Sequence, residues 1–148
     1  MPSFLLPIHL SAVVIWVGGM FFAYTALRPA AAQTLEPPFR LKLWVATFQR
    51  FFPWVWAAII AILVTGLWAM KVYSQVPVYI HMMLGLGILM MLIFLHVFFA
   101  PYRRLKQAVA SENWPEGGKK LAQIRILVGI NTLLGLATIV LGTAGRYF

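Results

Sequence analysis

Three histidines are the side chains of this sequence best suited to bind a metal ion in apolar surroundings. His9 lies in the stretch 4–27, which has no formally charged side chain. That stretch is long enough to cross a bilayer, which takes about 20 apolar residues. His81 opens a second long apolar stretch, and His96 follows it about 22 Å further along the helix axis. Because an ionisable group is costly in hydrocarbon, each histidine marks a candidate functional site.

His9 and His81 are predicted to lie at similar depth, because each opens an apolar stretch running in the same direction. In an up-down bundle the first and third helices are diagonal, with axes about 14 Å apart. Two inward-facing imidazoles across that gap leave room for an iron at Fe–N distances of roughly 2 Å, and therefore for a haem. Trp16, two turns from His9, and Gly85, one turn from His81, would flank it.

Copper is the alternative ligand for the same histidines. Copper recruits soft ligands, and Met82 and Met83 adjoin His81. His96 is too far along the helix to share a metal with His81 and is interpreted as a structural or interfacial histidine. No catalytic residue is assigned.

The composition indicates an integral membrane protein. Of 148 residues, 62% are hydrophobic and 10% are charged, against roughly 25% charged in a soluble domain. The absence of cysteine excludes thiolate and iron–sulfur sites, and three acidic residues make a carboxylate-rich metal cage improbable. The net charge of +9 fits the basic loops of a membrane protein rather than nucleic-acid binding.

Four spans are predicted, so the fold class is an all-α integral membrane protein with an up-down four-helix bundle in one transmembrane domain. The apolar stretches are 4–27, 54–70, 78–100 and 124–143. The segments between spans one and two and between spans three and four are predicted to extend as helices into the cytoplasm, with the residues 113–118 forming a turn.

Basic residues predict the orientation of the chain. Ten lie in the two connections between spans one and two and between spans three and four, whereas only Lys71 and Arg146 lie on the other side. By the positive-inside rule both long connections are cytoplasmic, and both termini are periplasmic in a bacterial inner membrane. The ten are Arg28, Arg40, Lys42, Arg50, Arg103, Arg104, Lys106, Lys119, Lys120 and Arg125.

Several segments resemble the CopD-like family of bacterial inner-membrane proteins, named for copper resistance. They are HLSAVVIWVGGMFFAYTALRP, RFFPWVWAAIIAILVTGLW, HMMLGLGILMMLIFLHVFFAPYRR and IRILVGINTLLG. The most specific parts are the histidine with Trp-x-Gly-Gly in span one and the Thr-Gly ending span two. Spans one and three are also distantly similar to HemJ-type protoporphyrinogen oxidases, which bind haem b. That resemblance implies a functional His9, while the span-three lysine of those proteins has no counterpart here.

These patterns predict a membrane haem b protein in electron transfer or a redox reaction, with the haem held near the periplasmic side by His9 and His81. A haem-dependent oxidoreductase is one form of this function, with a quinone or periplasmic redox protein as partner. The alternatives are a copper transport or resistance protein using the same histidines with Met82 or Met83, and a cofactor-free helical assembly subunit. Membrane lipid surrounds the protein in every case, and a homo-oligomer remains open.

Overall fold

The computed structural model describes residues 3–147 as an all-α bundle. Four of its helical segments are long and apolar enough to cross a membrane. The individual helices are α1 (Leu5–Phe22), α2 (Arg28–Thr34), α3 (Pro37–Met70), α4 (Val78–Phe99), α5 (Pro101–Ala110) and α6 (Trp114–Ala144). The prediction of an all-α four-helix membrane bundle is confirmed.

Two helices are longer than the hydropathy of their spans predicts. The helix of span two begins at Pro37 and passes through Pro53 to Met70 without interruption. The helix of span four begins at Trp114, so residues 114–118 are helical and the predicted turn at 113–118 is wrong. Asn113 explains this early start, since its side chain caps the helix by accepting the Glu116 N–H at 3.4 Å. The chain turns instead just before Asn113, where Glu112 has a φ of 57°.

The helix of span one continues past Pro29, beyond the apolar stretch 4–27. A five-residue π-helical turn, Ala23–Leu27, joins α1 to α2, and Pro29 lies in the first turn of α2. Because proline has no N–H, the carbonyl of Thr25 lacks its usual helical donor. The π-helical turn lets the helix continue past this missing hydrogen bond. The apolar stretch 4–27 therefore lies within a longer helical segment that reaches Thr34.

The bundle core is aromatic in its middle third. Phe48 and Phe52 stack at 4.9 Å between ring centroids, and Phe94 meets Phe52 edge-on at 5.3 Å. Trp16 packs against the same Phe94 ring at 6.5 Å. This aromatic core, comprising Trp16, Phe48, Phe52, Phe94, Phe98 and Tyr102, joins α1, α3, α4 and α5.

Gly19 allows close packing of the first two spans. A Cβ atom at this position would overlap the ring of Phe51 on α3. The Phe51 ring therefore packs directly against the α1 backbone, which lets the two helices lie close together. The neighbouring Gly18 is exposed and has no such contact.

Candidate metal site

A cavity of about 470 Å³ lies between the spans, on the side of the aromatic core where α1 and α4 begin. We call it the His9 cavity. It is lined mainly by carbon atoms, and no lysine, arginine or carboxylate is among its lining residues in the described chain. Its lining includes His9, Trp16, Thr65, Gly66, Met70, Tyr73, Tyr79, Met83, Met90, Met91, Thr138 and Thr143.

His9 is held on this cavity by a hydrogen bond to the neighbouring span. Its Nδ1 atom lies 2.8 Å from Oγ1 of Thr65 on α3. The single hydroxyl proton of Thr65 is donated to the Ala61 carbonyl at 2.6 Å. Because the Thr65 hydroxyl has this backbone acceptor, we assign its oxygen as the acceptor for His9 and the imidazole proton to Nδ1. This tautomer leaves the Nε2 lone pair available to a metal ion.

Gly66 provides space for the imidazole next to Thr65. A Cβ atom built on Gly66 would lie 3.5 Å from Cε1 and 3.9 Å from Nδ1 of His9. The His9 ring thus packs over the α3 backbone at the residue that follows its hydrogen-bond partner. The Thr-Gly pair of span two and the histidine of span one together form one structural unit.

Four methionines line the same cavity. Met83, Met90 and Met91 come from α4, and Met70 comes from the end of α3. On a helix, positions 83, 90 and 91 lie on one face, since they are separated by seven and eight residues. The cavity lining therefore includes one imidazole and four thioether side chains, whose sulfur atoms are soft ligands.

Asn131 fixes the α4 backbone beneath these methionines. Its Nδ2 atom donates to the Met90 carbonyl at 3.1 Å, and only 3% of the residue is exposed. This hydrogen bond joins α6 to α4. Its Oδ1 atom is buried without a hydrogen-bond partner in the described residues.

The end of the cavity furthest from the aromatic core is polar but uncharged. Tyr73, from the connection between α3 and α4, and Tyr79, from the start of α4, line it there. Burial raises the pKa of the Tyr73 phenol, and the neighbouring Tyr79 adds to the shift. Tyr73 is therefore neutral at physiological pH.

The structure brings some of the predicted site residues together and leaves others outside. His9, Trp16 and Met83 line the His9 cavity. His81, Met82, Gly85 and His96 are exposed on α4 and are not among its lining residues. Gly85 lies one turn from His81, as predicted, and both residues are exposed. Of the two histidines predicted as metal ligands, His9 lines the cavity and His81 is not among its lining residues.

Sequence reasoning missed the partners that position His9. Thr65 and Gly66 were identified only as a family motif, with no role for either residue. Met90 and Met91 stand within an apolar run that shows no asymmetry around the helix. Within residues 3–147, no three histidine, aspartate or glutamate side chains form a group that could hold a metal ion.

Comparison with protein families gives one match, to the family described as CopD, copper resistance protein D, over residues 45–144. The matched range contains Thr65, Gly66 and the α4 methionines but begins after His9. The similarity to HemJ-type oxidases is not shown. A search of curated proteins and a search of solved structures each found no match.

Proposed function

The chain belongs to the copper resistance protein D family, a family of multi-pass inner-membrane proteins, and we propose that it handles copper within the membrane, binding the ion in the His9 cavity. The observation that supports this most directly is the His9–Thr65 hydrogen bond, which leaves Nε2 as the available ring nitrogen. The copper ion is the cargo of the protein in this proposal. The ligands are His9 and the methionines of the same cavity, in place of the exposed His81 and Met82.

The donor set favours copper in its reduced state. Thioether ligands select copper(I), and imidazole also suits copper, so such a site does not need charged carboxylates. The His9 cavity offers these two kinds of donor and no acidic side chain among its described lining residues. An uncharged site suits a monovalent ion that must also leave again, because a strongly anionic site would retain it.

The proposed orientation follows from the basic residues. If the connections that carry ten of them are cytoplasmic, the His9 cavity lies toward the periplasm. Copper would then enter the protein from the periplasmic side, where Tyr73 and Tyr79 line the cavity.

The test is anaerobic titration of the purified protein with copper(I) in competition with a chromophoric chelator. His9→Ala should weaken binding by at least about 100-fold, since loss of a partner that merely orients a ligand already costs 10–100-fold. His81→Ala is the matched control and should bind as the wild type does. Equal losses in the two variants, or no copper binding by the wild type, would overturn the proposed site.

The methionines provide a second, independent test. Met83→Leu combined with Met91→Leu keeps side-chain volume but removes two sulfur atoms from the cavity. We expect copper affinity to fall by about tenfold or more, whereas Met82→Leu on the exposed face should have no effect. X-ray absorption of the copper-loaded protein should show sulfur together with nitrogen ligands; a spectrum with nitrogen and oxygen ligands alone would contradict the model.

Haem b is a second candidate ligand, supported by the size of the cavity. At about 470 Å³ the His9 cavity is in the range of sites for organic ligands, whereas a bare ion needs far less space. His9 would then be the histidine ligand in this cavity, and a quinone or periplasmic redox protein would be the electron partner. The absorption spectrum of the purified protein distinguishes the two functions, because a haem protein has a Soret band that shifts on reduction and an ion-binding protein has none.

A further inference from the structure

A second cavity, of about 240 Å³, lies on the opposite side of the aromatic core from the His9 cavity. We call it the basic pocket. Arginines from three different helices line it: Arg28 from α2, Arg40 from α3 and Arg125 from α6. No carboxylate is among its lining residues within 3–147, and the ion pair found in that part of the chain, Lys120 with Glu116 at 3.6 Å, lies elsewhere.

Two backbone carbonyls orient the Arg40 guanidinium, but its Nε–H donor has no partner among the described residues. Its Nη2 atom donates to the Leu35 carbonyl at 3.1 Å and to the Ala32 carbonyl at 3.3 Å. Its Nε atom is buried and has no hydrogen-bond partner among the described residues. A buried cationic donor without an acceptor is costly, so the pocket is electrostatically incomplete without an anion.

Arg28 is fixed in a similar way beside it. Its Nε atom donates to the Tyr24 carbonyl at 3.2 Å, and its guanidinium lies 4.6 Å from the centre of the Tyr24 ring. The terminal nitrogens of Arg28 are not used by these contacts. Two arginines are therefore held in place before any ligand arrives, which lowers the entropic cost of binding an anion.

Topology alone does not explain this arrangement. Positive charge at one end of a membrane protein requires only exposed basic residues, and Lys42, Arg103, Arg104 and Lys119 are exposed in that manner. Arg28 and Arg40 are instead partly buried among apolar side chains. The apolar part of the pocket lining includes Leu41, Trp44, Phe48, Trp114, Leu121, Ile124 and Val128.

We propose that the basic pocket binds a phosphate group, and that the phosphate is the headgroup of an anionic phospholipid. Arginine guanidinium groups match phosphate oxygens in paired hydrogen bonds, and basic pockets between membrane helices are typical sites for anionic headgroups. The adjacent tryptophan and aliphatic side chains suit the glycerol and the first part of an acyl chain. Free inorganic phosphate has the same charge chemistry but would leave this apolar surface without a partner. The proposal is independent of copper and of the His9 cavity.

The experiment is native mass spectrometry of the detergent-purified protein, titrated separately with phosphatidylglycerol, phosphatidylcholine and inorganic phosphate. Phosphatidylglycerol should bind about tenfold more tightly than phosphatidylcholine, and Arg40→Gln should remove that preference by weakening phosphatidylglycerol about tenfold. Inorganic phosphate should show no binding at the same concentrations. Binding of inorganic phosphate as tight as that of the lipid would overturn the assignment to a phospholipid.

Matched variants separate this site from general charge attraction. Arg103→Gln combined with Arg104→Gln removes two exposed charges from the same end of the bundle and should leave phosphatidylglycerol binding within about twofold of wild type. Arg40→Lys keeps the charge without the Nε donor and should still lose most of the preference. Arg28→Gln, with the monomer peak in size-exclusion chromatography as a folding check, covers the case in which Arg40 variants do not fold. An equal loss in the Arg103/Arg104 variant would refute the pocket.

Discussion

The two ends of the bundle differ in charge, although the helices that form them are similarly apolar. The His9 cavity is lined by an imidazole, thioethers and hydroxyls with no charged side chain among its described residues, whereas three arginines line the basic pocket. Between them lies the aromatic core around a smaller cavity of about 160 Å³. A cation such as copper meets neutral soft ligands at one end and fixed positive charge at the other. Charge placement, rather than hydrophobicity, therefore distinguishes the two sides of this protein.

The largest expected effect is that a substitution at either end weakens only the ligand that binds at that end. His9→Ala should lower copper(I) affinity by at least about 100-fold while phosphatidylglycerol binding stays within about twofold. Arg40→Gln should show the reverse pattern in the same two assays, because the aromatic core separates the sites. If either variant weakened both ligands equally, the two ends would not be independent and the comparison would fail.

A smaller effect is expected from the hydrogen bond that orients His9. Thr65→Val preserves side-chain shape but removes the oxygen that accepts the Nδ1–H, so the imidazole loses its fixed tautomer. We expect copper affinity to fall by about tenfold. Thr65→Ser keeps the hydroxyl and should stay close to wild type, as measured by the same chelator competition. Equal affinities of the valine and serine variants would show that Thr65 only fills space.

Side-chain volume at Gly66 tests the packing of the imidazole. Gly66→Ala places a Cβ atom 3.5 Å from Cε1 of His9, an ordinary van der Waals distance, and should be tolerated. Gly66→Val adds methyl groups beside the ring and should weaken copper binding several-fold by moving it. The phospholipid preference of the basic pocket should not change in either variant. A loss as large with alanine as with valine would mean that the backbone, rather than the ring, is disturbed.

The orientation of the protein in the membrane is tested by thiol labelling, and no change in copper or lipid binding is expected. Ser111→Cys introduces a thiol at an exposed position between α5 and α6, in a chain with no cysteine of its own. A membrane-impermeant thiol reagent should label it in inside-out vesicles but not in intact cells, because the basic end is expected to be cytoplasmic. Labelling in intact cells would place the basic pocket in the periplasm and the His9 cavity on the cytoplasmic side.

Some features of the site were within reach of the sequence, and others were not. His9, Trp16 and Met83 were predicted as site residues and do line the cavity, and the roles of His9 and Met83 as metal ligands stay predictions. His81 was predicted from its matched depth with His9, and Met82 and Gly85 from their closeness to His81, yet all three are exposed and none is among the residues that line the cavity. His9, the histidine that lines the cavity, was recognisable from the sequence as an ionisable group in an apolar span. Its partner Thr65 was not, because a threonine in a membrane helix usually bonds to its own backbone, which Thr65 also does.

The sequence by itself determined that this is a membrane protein of four helical spans, since long apolar runs have no other stable form in a bilayer. Its basic residues also predicted which connections share one side. Only the tertiary structure decided which face of each helix points inward. In a soluble helix the apolar stripe marks that face, but α4 is apolar around its whole circumference because one side meets lipid and the other meets protein. Packing against the neighbouring helices therefore determined that Met83 and Met91, rather than His81, face the cavity with His9.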